Sequence, residues 1–177
     1  MTMHDLPDDY GTLAEPGTLT IQRFLPGPIE RVWDHLTDSE LRRKWLAGGV
    51  MTPEVGSTVT LTWRNDELST PPGERPEEFG KEHSLDSRIT VYEPPHRLGF
   101  TWWGDGTVLI ELAAKGDRVL LTLTHDDLTS AQGRVMVGAG WHAHLDMLVA
   151  RVSGTEPSPF WDRWLALRED YDRRFGL

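Results

Sequence analysis

The chain has 177 residues, 38% of them hydrophobic and 26% charged, which suits one globular domain with a substantial core. Its formal net charge of −10 argues against nucleic acid and against an anionic membrane surface as partners, since both demand clustered Lys and Arg. It has no cysteine, which excludes disulfides, thiolate nucleophiles and zinc–thiolate sites.

No apolar run approaches the roughly 18 residues of a membrane span, and no signal-peptide core opens the chain. A cytoplasmic protein without membrane insertion is therefore expected. The eight tryptophans are the compositional anomaly, and they fit either a heavy core or an aromatic-lined pocket.

Residues 1–17, acidic and broken by Pro7, Pro16 and Gly17, read as a loose lead-in. Residues 18–25 read as a strand with Leu19 and Ile21 on one face. Gly27-Pro28 opens a short helix, where proline suits the first position, and Ile29, Val32, Trp33 and Leu36 form its apolar face. Thr37-Asp38-Ser39-Glu40 has the form of a capping box and starts a second short helix, with Leu41 and Trp45 inside and Gly48-Gly49 at its end. Arg42-Arg43-Lys44 reads as a solvated face.

Five strand-like segments follow, each with clean alternation. Val55, Val59, Leu61 and Trp63 face one way, and so in turn do Leu85, Ile89 and Val91. The same holds for Leu98, Phe100 and Trp102, for Val108, Ile110 and Leu112, and for Val119, Leu121 and Leu123. Trp103 falls on the opposite face from Trp102. One apolar and one polar face describe an antiparallel sheet that is wet on its outer side. Residues 64–83, rich in Pro and Glu, are long for a connection and read as a mobile segment, with a lid as the alternative.

Thr129-Ser130-Ala131-Gln132 caps a long helix over residues 134–152. Val137, Trp141, Leu145, Leu148 and Val152 fall on one stripe of it, with His144 about 60° from the stripe's centre. Gly138 and Gly140 each cost about 1 kcal/mol against alanine, and close approach of Gly138 to the sheet is the expected reason. Ser153-Gly154 closes this helix. Ser158-Pro159 starts another, with Phe160, Trp164, Arg168, Tyr171 and Phe175 along one side, to dock on its own domain or on a second subunit, so a homodimer stays open.

The order strand, two short helices, five strands, long helix is that of an α+β helix-grip fold, a curved six-stranded antiparallel sheet wrapped around the long helix. The expected divisions are a lead-in over 1–17, the helix-grip domain over 18–152 and a helical extension over 153–177. Residues 28–38 (PIERVWDHLTD), followed by Leu41 and Lys44-Trp45, resemble the opening of the family named for activators of the heat-shock-protein ATPase. That family sits within the superfamily of START, pollen-allergen and polyketide-cyclase-like domains. Residues 91–98 (VYEPPHRL), with Phe100 and Trp102, are similar to its proline turn and following strand, and Gly140-Trp141 with Leu145-Asp146 and Leu148 to its final helix. The resemblance covers residues 18–152. It implies a pocket between sheet and helix that takes hydrophobic small molecules, with no cofactor. A chaperone partner is not expected, because the family's co-chaperones carry a further N-terminal domain for which this chain has no room.

The inward set that would line such a pocket is Leu61, Trp63, Ile89, Phe100, Trp102, Val108, Ile110 and Leu121 from the sheet, with Leu123 beside them, and Val137, Trp141, His144 and Leu145 from the helix. Burial alone, at about 1.5–3 kcal/mol each, explains every aliphatic and aromatic member. The two inward histidines are His144 and His125. Each is most simply a satisfied core residue; His144 is otherwise a ligand anchor or, as the sole catalytic candidate, a general base. No metal is expected. His142 and His144 point about 200° apart, and His142 with Asp146 gives two ligands without a third, as in a surface hydrogen bond or ion pair. Gly138-Ala139-Gly140 lies inside a helix and so is not a nucleotide loop, and no serine has a nucleophile-elbow pattern. The leading expectation is a non-enzymatic carrier of a hydrophobic or aromatic small molecule. The alternatives are a cyclase- or hydrolase-like enzyme using His144 as base, and an interaction protein docking through its C-terminal helix.

Overall fold

The computed structural model describes residues 9–15 and 17–176. Its elements are β1 (Thr12–Glu15), β2 (Thr18–Pro26), α1 (Ile29–Thr37), α2 (Ser39–Arg42), β3 (Thr58–Trp63), a 3-10 turn (Asn65–Glu67), β4 (His83–Glu93), β5 (Arg97–Thr101), β6 (Thr107–Lys115), β7 (Arg118–His125), α3 (Ala131–Ser153) and α4 (Phe160–Phe175). Among the described residues the strands form one antiparallel sheet in the order β1-β2-β7-β6-β5-β4-β3. The sheet has seven strands where six were expected. The extra one, β1, comes from the expected lead-in and pairs Thr12 with Thr20 and Leu13 with Leu19. Residues 1–8 and Pro16 of that lead-in lie outside the described residues.

The alternation read in the sequence is the burial pattern of the sheet. Leu19, Ile21, Leu25, Val59, Leu61, Ile89, Val108, Ile110, Leu121 and Leu123 are each 0–1% exposed on the inner face. The strand containing Val55 starts only at Thr58, and Val55 itself is 60% exposed. Ser130 caps α3 by accepting from Gly133 N–H, and Gly154, with φ 71°, closes it in the left-handed conformation that glycine adopts without strain.

α3 is not apolar on one stripe alone. Val135, Ala139 and His142 are buried as well as Trp141, Leu145 and Leu148, because the sheet holds one side of the helix and α4 the other. Gly138 is small for α4 rather than for the sheet: a Cβ there would stand 2.9 Å from the Tyr171 ring.

Two further expectations are corrected. The cap of α2 is Asp38, whose carboxylate accepts from Glu40 N–H and Leu41 N–H, and Thr37 instead bonds back to Trp33 O. Arg42 is not on a solvated face. It is 2% exposed and donates to the carbonyls of Leu36, Thr37, Ala47 and Gly49, so it satisfies the last turn of α1 and the chain leaving α2.

Residues 65–79 are packed rather than loose. Leu68 is fully buried, Ser69 Oγ accepts from Phe160 N–H at 2.9 Å, and Pro72 O accepts from Trp161 N–H at 2.9 Å. These two acceptors serve the first amides of α4, which has no side-chain cap of its own. Arg151 of α3 reaches across to Leu68 O at 2.6 Å, and Phe79 lies on Trp161 and Trp164.

Candidate functional site

Between the β3–β5 end of the sheet, α3, α4 and the 65–79 segment lies a cavity of about 260 Å³. Trp63, Trp102, Trp103, Trp141, Trp161 and Trp164 line it, so six of the eight tryptophans share one wall system. Leu46, Asn65, Phe79, His83, Met136, Val137, Gly140, His144 and Phe160 complete it.

The aromatic wall is built by packing between distant elements. Trp63 closes β3 and meets Trp102 edge-on at 5.6 Å, and Trp102 in turn meets Trp141 of α3 at 5.4 Å. β5 ends at Thr101, so Trp103 is not on the outer face of a strand; it turns back to stack on Trp63 at 6.0 Å and is 52% exposed at the rim. His83 stacks on Trp63 at 5.0 Å, and partial burial lowers its pKa. α4 closes the cavity with Phe160, Trp161 and Trp164, and Trp161 is held by its Nε1–H to Asp66 Oδ1 at 2.8 Å.

Few polar atoms face this space. His144 is 7% exposed, and its Nδ1–H donates to Trp45 O at 2.9 Å. A carbonyl only accepts, so the proton sits on Nδ1 and Nε2 keeps its lone pair. Nε2 has no partner among the described residues and is not closed off from open space, and His144 is part of the cavity wall. Burial lowers the pKa of this ring to about 4, against the help of the Trp45 carbonyl, so the imidazole is neutral at pH 7. Asn65 Oδ1 is buried without a partner. Among the described residues no Lys, Arg, Asp or Glu lines the cavity.

Of the residues singled out in the sequence, Trp63, Trp102, Val137, Trp141 and His144 line this cavity. Leu61, Phe100 and Ile110 surround a void of about 10 Å³ beside Trp45, and Ile89, Val108, Leu121, Leu123 and Leu145 are packed core. His125 sits behind the wall, 1% exposed, with Nδ1 accepting from Trp141 Nε1–H at 2.9 Å; burial lowers its pKa to about 4. Phe79, Met136, Phe160, Trp161 and Trp164 were not singled out as lining residues, because they meet the cavity only through contacts far apart in the chain.

His142 is not on the surface, as its pairing with Asp146 had suggested. It is fully buried, with Nδ1 3.0 Å from Tyr171 Oη and Nε2 taking a bond from Arg163 at 3.3 Å. Burial, aided by Arg23, Arg163 and Arg174, lowers its pKa to about 3, so its 3.8 Å approach to Asp146 is not an ion pair at neutral pH. Asp146 pairs instead with Arg23 at 3.2 Å and Arg163 at 3.0 Å. A larger groove of about 510 Å³ beside these charges is open, and two of its arginines are already paired with Asp146. Among the described residues no three His, Asp or Glu side chains gather as metal ligands, and no helix is long and apolar enough to cross a membrane.

Comparison with known proteins agrees with this fold. The chain is 34% identical to the protein encoded by gene BPP1335 of Bordetella parapertussis, whose solution structure superposes with a TM-score of 0.80 over 95% of this chain and 91% of that one. It is 25% identical to CalU16 of Micromonospora echinospora, with a TM-score of 0.66 over 89% and 85% of the two chains. EF2215 of Enterococcus faecalis, a conserved protein of unknown function, shares the fold at 17% identity, with a TM-score of 0.67 over 94% and 89%. No curated protein matches the chain. The model of the Activator of Hsp90 ATPase homolog 1-like proteins matches residues 26–153, and the chain belongs to that family.

Proposed function

We propose that this protein binds an apolar, aromatic small molecule in the cavity between the sheet, α3 and α4, as a carrier rather than as a chaperone activator. The observation that carries this reading is the gathering of six tryptophans around about 260 Å³ of space with no charged side chain in its wall. Such a wall matches the general character of ligand sites, apolar with a few placed polar atoms. An apolar cavity of about 150 Å³ takes benzene, so this one suits two or three fused rings.

Gly140 supports the reading. It lines the cavity from α3, and a Cβ there would meet nothing within 4 Å. A glycine inside a helix costs about 1 kcal/mol, and here no packing contact requires it. What it provides is room.

Titration calorimetry with 2-naphthol tests the proposal, using the wild type and Gly140→Phe, in which the added ring occupies the cavity. Saturable one-to-one binding in the wild type and its loss in a folded Gly140→Phe variant are expected. Equal binding by both would place the ligand elsewhere and overturn the proposal.

A further inference from the structure

We infer that the ligand of this cavity is an uncharged aromatic bearing a hydroxyl group, which donates its hydrogen to His144 Nε2. The inference deepens the proposed carrier function and rests on it.

A carbonyl holds the His144 ring from behind, so Nδ1 is the donor to Trp45 and Nε2 is fixed as an acceptor. That acceptor lies in the cavity wall with no partner among the described residues. Asn65 is on the same wall, but its Oδ1 is fully buried away from the open space and offers the ligand no second acceptor. His144 Nε2 is not closed off from open space, so a ligand that fills the cavity takes its solvent away, and the site selects a ligand that returns the missing hydrogen. The indole N–H groups of Trp141 and Trp161 are committed to His125 and Asp66, and those of Trp63, Trp102, Trp103 and Trp164 make no bond to His144 Nε2, so no indole supplies it.

Charge selects in the same direction. Among the described residues no Lys or Arg lines the cavity to receive a carboxylate or phosphate, and no Asp or Glu to receive an amine, while burial lowers the pKa of His83 on the same wall. The neutral imidazole of His144 adds no charge at pH 7. An ionised ligand would lose its hydration with no counter-charge in return. A phenol-type hydroxyl brings a hydrogen without bringing a charge.

Calorimetry at pH 7 with three probes of one shape tests this: 2-naphthol, 2-methoxynaphthalene and the 2-naphthoate anion. 2-Naphthol is expected to bind about ten-fold tighter than its methyl ether, the worth of one hydrogen bond to a buried acceptor, and the naphthoate weakest. The imidazole ¹⁵N spectrum supplies a readout that needs no variant. The His144 Nε2 signal is expected to move on addition of 2-naphthol toward that of a hydrogen-bonded acceptor, and to stay in place with the ether. Equal affinity of naphthol and ether, a still Nε2 signal, or tightest binding of the naphthoate would overturn the inference while leaving the aromatic carrier intact. Absence of binding by all three would instead remove the carrier function, and the inference with it.

Discussion

Gly138 and Gly140 sit two positions apart on α3, and a methyl group should act on them with opposite sign. Gly140→Ala adds helix propensity and meets open space, so denaturant unfolding is expected to show a gain of about 1 kcal/mol. Gly138→Ala drives a Cβ against the Tyr171 ring, which is fully buried and cannot swing away, so a net loss of stability is expected. Equal signs would mean that the α3–α4 approach is looser than described. Arg42 is the other residue whose role was hidden. Within Arg42-Arg43-Lys44 nothing local separates a solvated charge from one turned inward to carbonyls at the end of α1. Its pKa is lowered by burial to about 10, which leaves it charged at neutral pH. Arg42→Ala strands those carbonyls, and a loss on the order of 3 kcal/mol in the same unfolding experiment is expected. A change below about 0.5 kcal/mol, typical of a surface site, would contradict the burial.

Elements were legible where a period could be counted. The six alternating strands, the two short helices and the long helix need only local pattern, and they lie where that pattern put them, except that β3 begins at Thr58 and leaves Val55 outside. β1 escaped because four residues carry too little alternation to distinguish a strand from an extended tail. The last helix was visible as an amphipathic element, but a stripe does not name its partner, and docking against α3 and the 65–79 segment follows only from the assembled fold. The same segment looked loose because prolines and glutamates leave no period, whereas its order comes from long-range bonds to α4. Those bonds make a measurable cover. Removing the hydroxyl in Ser69→Ala leaves the Phe160 amide without its acceptor, so a loss of about 1 kcal/mol and faster hydrogen exchange at Phe160 are expected. Unchanged exchange there would show that α4 does not depend on the segment.

At the scale of the molecule, the fold positions three neutral histidines in or beside the helical layer, His125, His142 and His144, with pKa values lowered by burial to about 4, 3 and 4. On unfolding each returns toward 6.5, so between there and about 4 the unfolded chain binds more protons than the folded one. Their contribution is complete above pH 6.5 and is lost as the pH falls, and the melting temperature is expected to drop steadily from pH 7 to pH 4. A flat profile would mean that the rings are hydrated. The fold class was readable from the sequence; of the expected lining residues only Trp63, Trp102, Val137, Trp141 and His144 lie on the cavity, because inward alternation does not separate wall from packed core. The α4 half of the wall was not readable, because Trp161 and Trp164 join Trp63 and Trp102 only after the chain closes on itself. That closure supports the central claim, that an aromatic ligand enters a tryptophan-lined space. The indole N–H signals of the eight tryptophans during titration with 2-naphthol test it most directly. The signals of the six cavity tryptophans are expected to shift together to saturation, while Trp33 and Trp45, which lie outside the cavity, stay in place. Shifts in Trp33 and Trp45 as large as those in Trp63 and Trp141, or none in any, would contradict it.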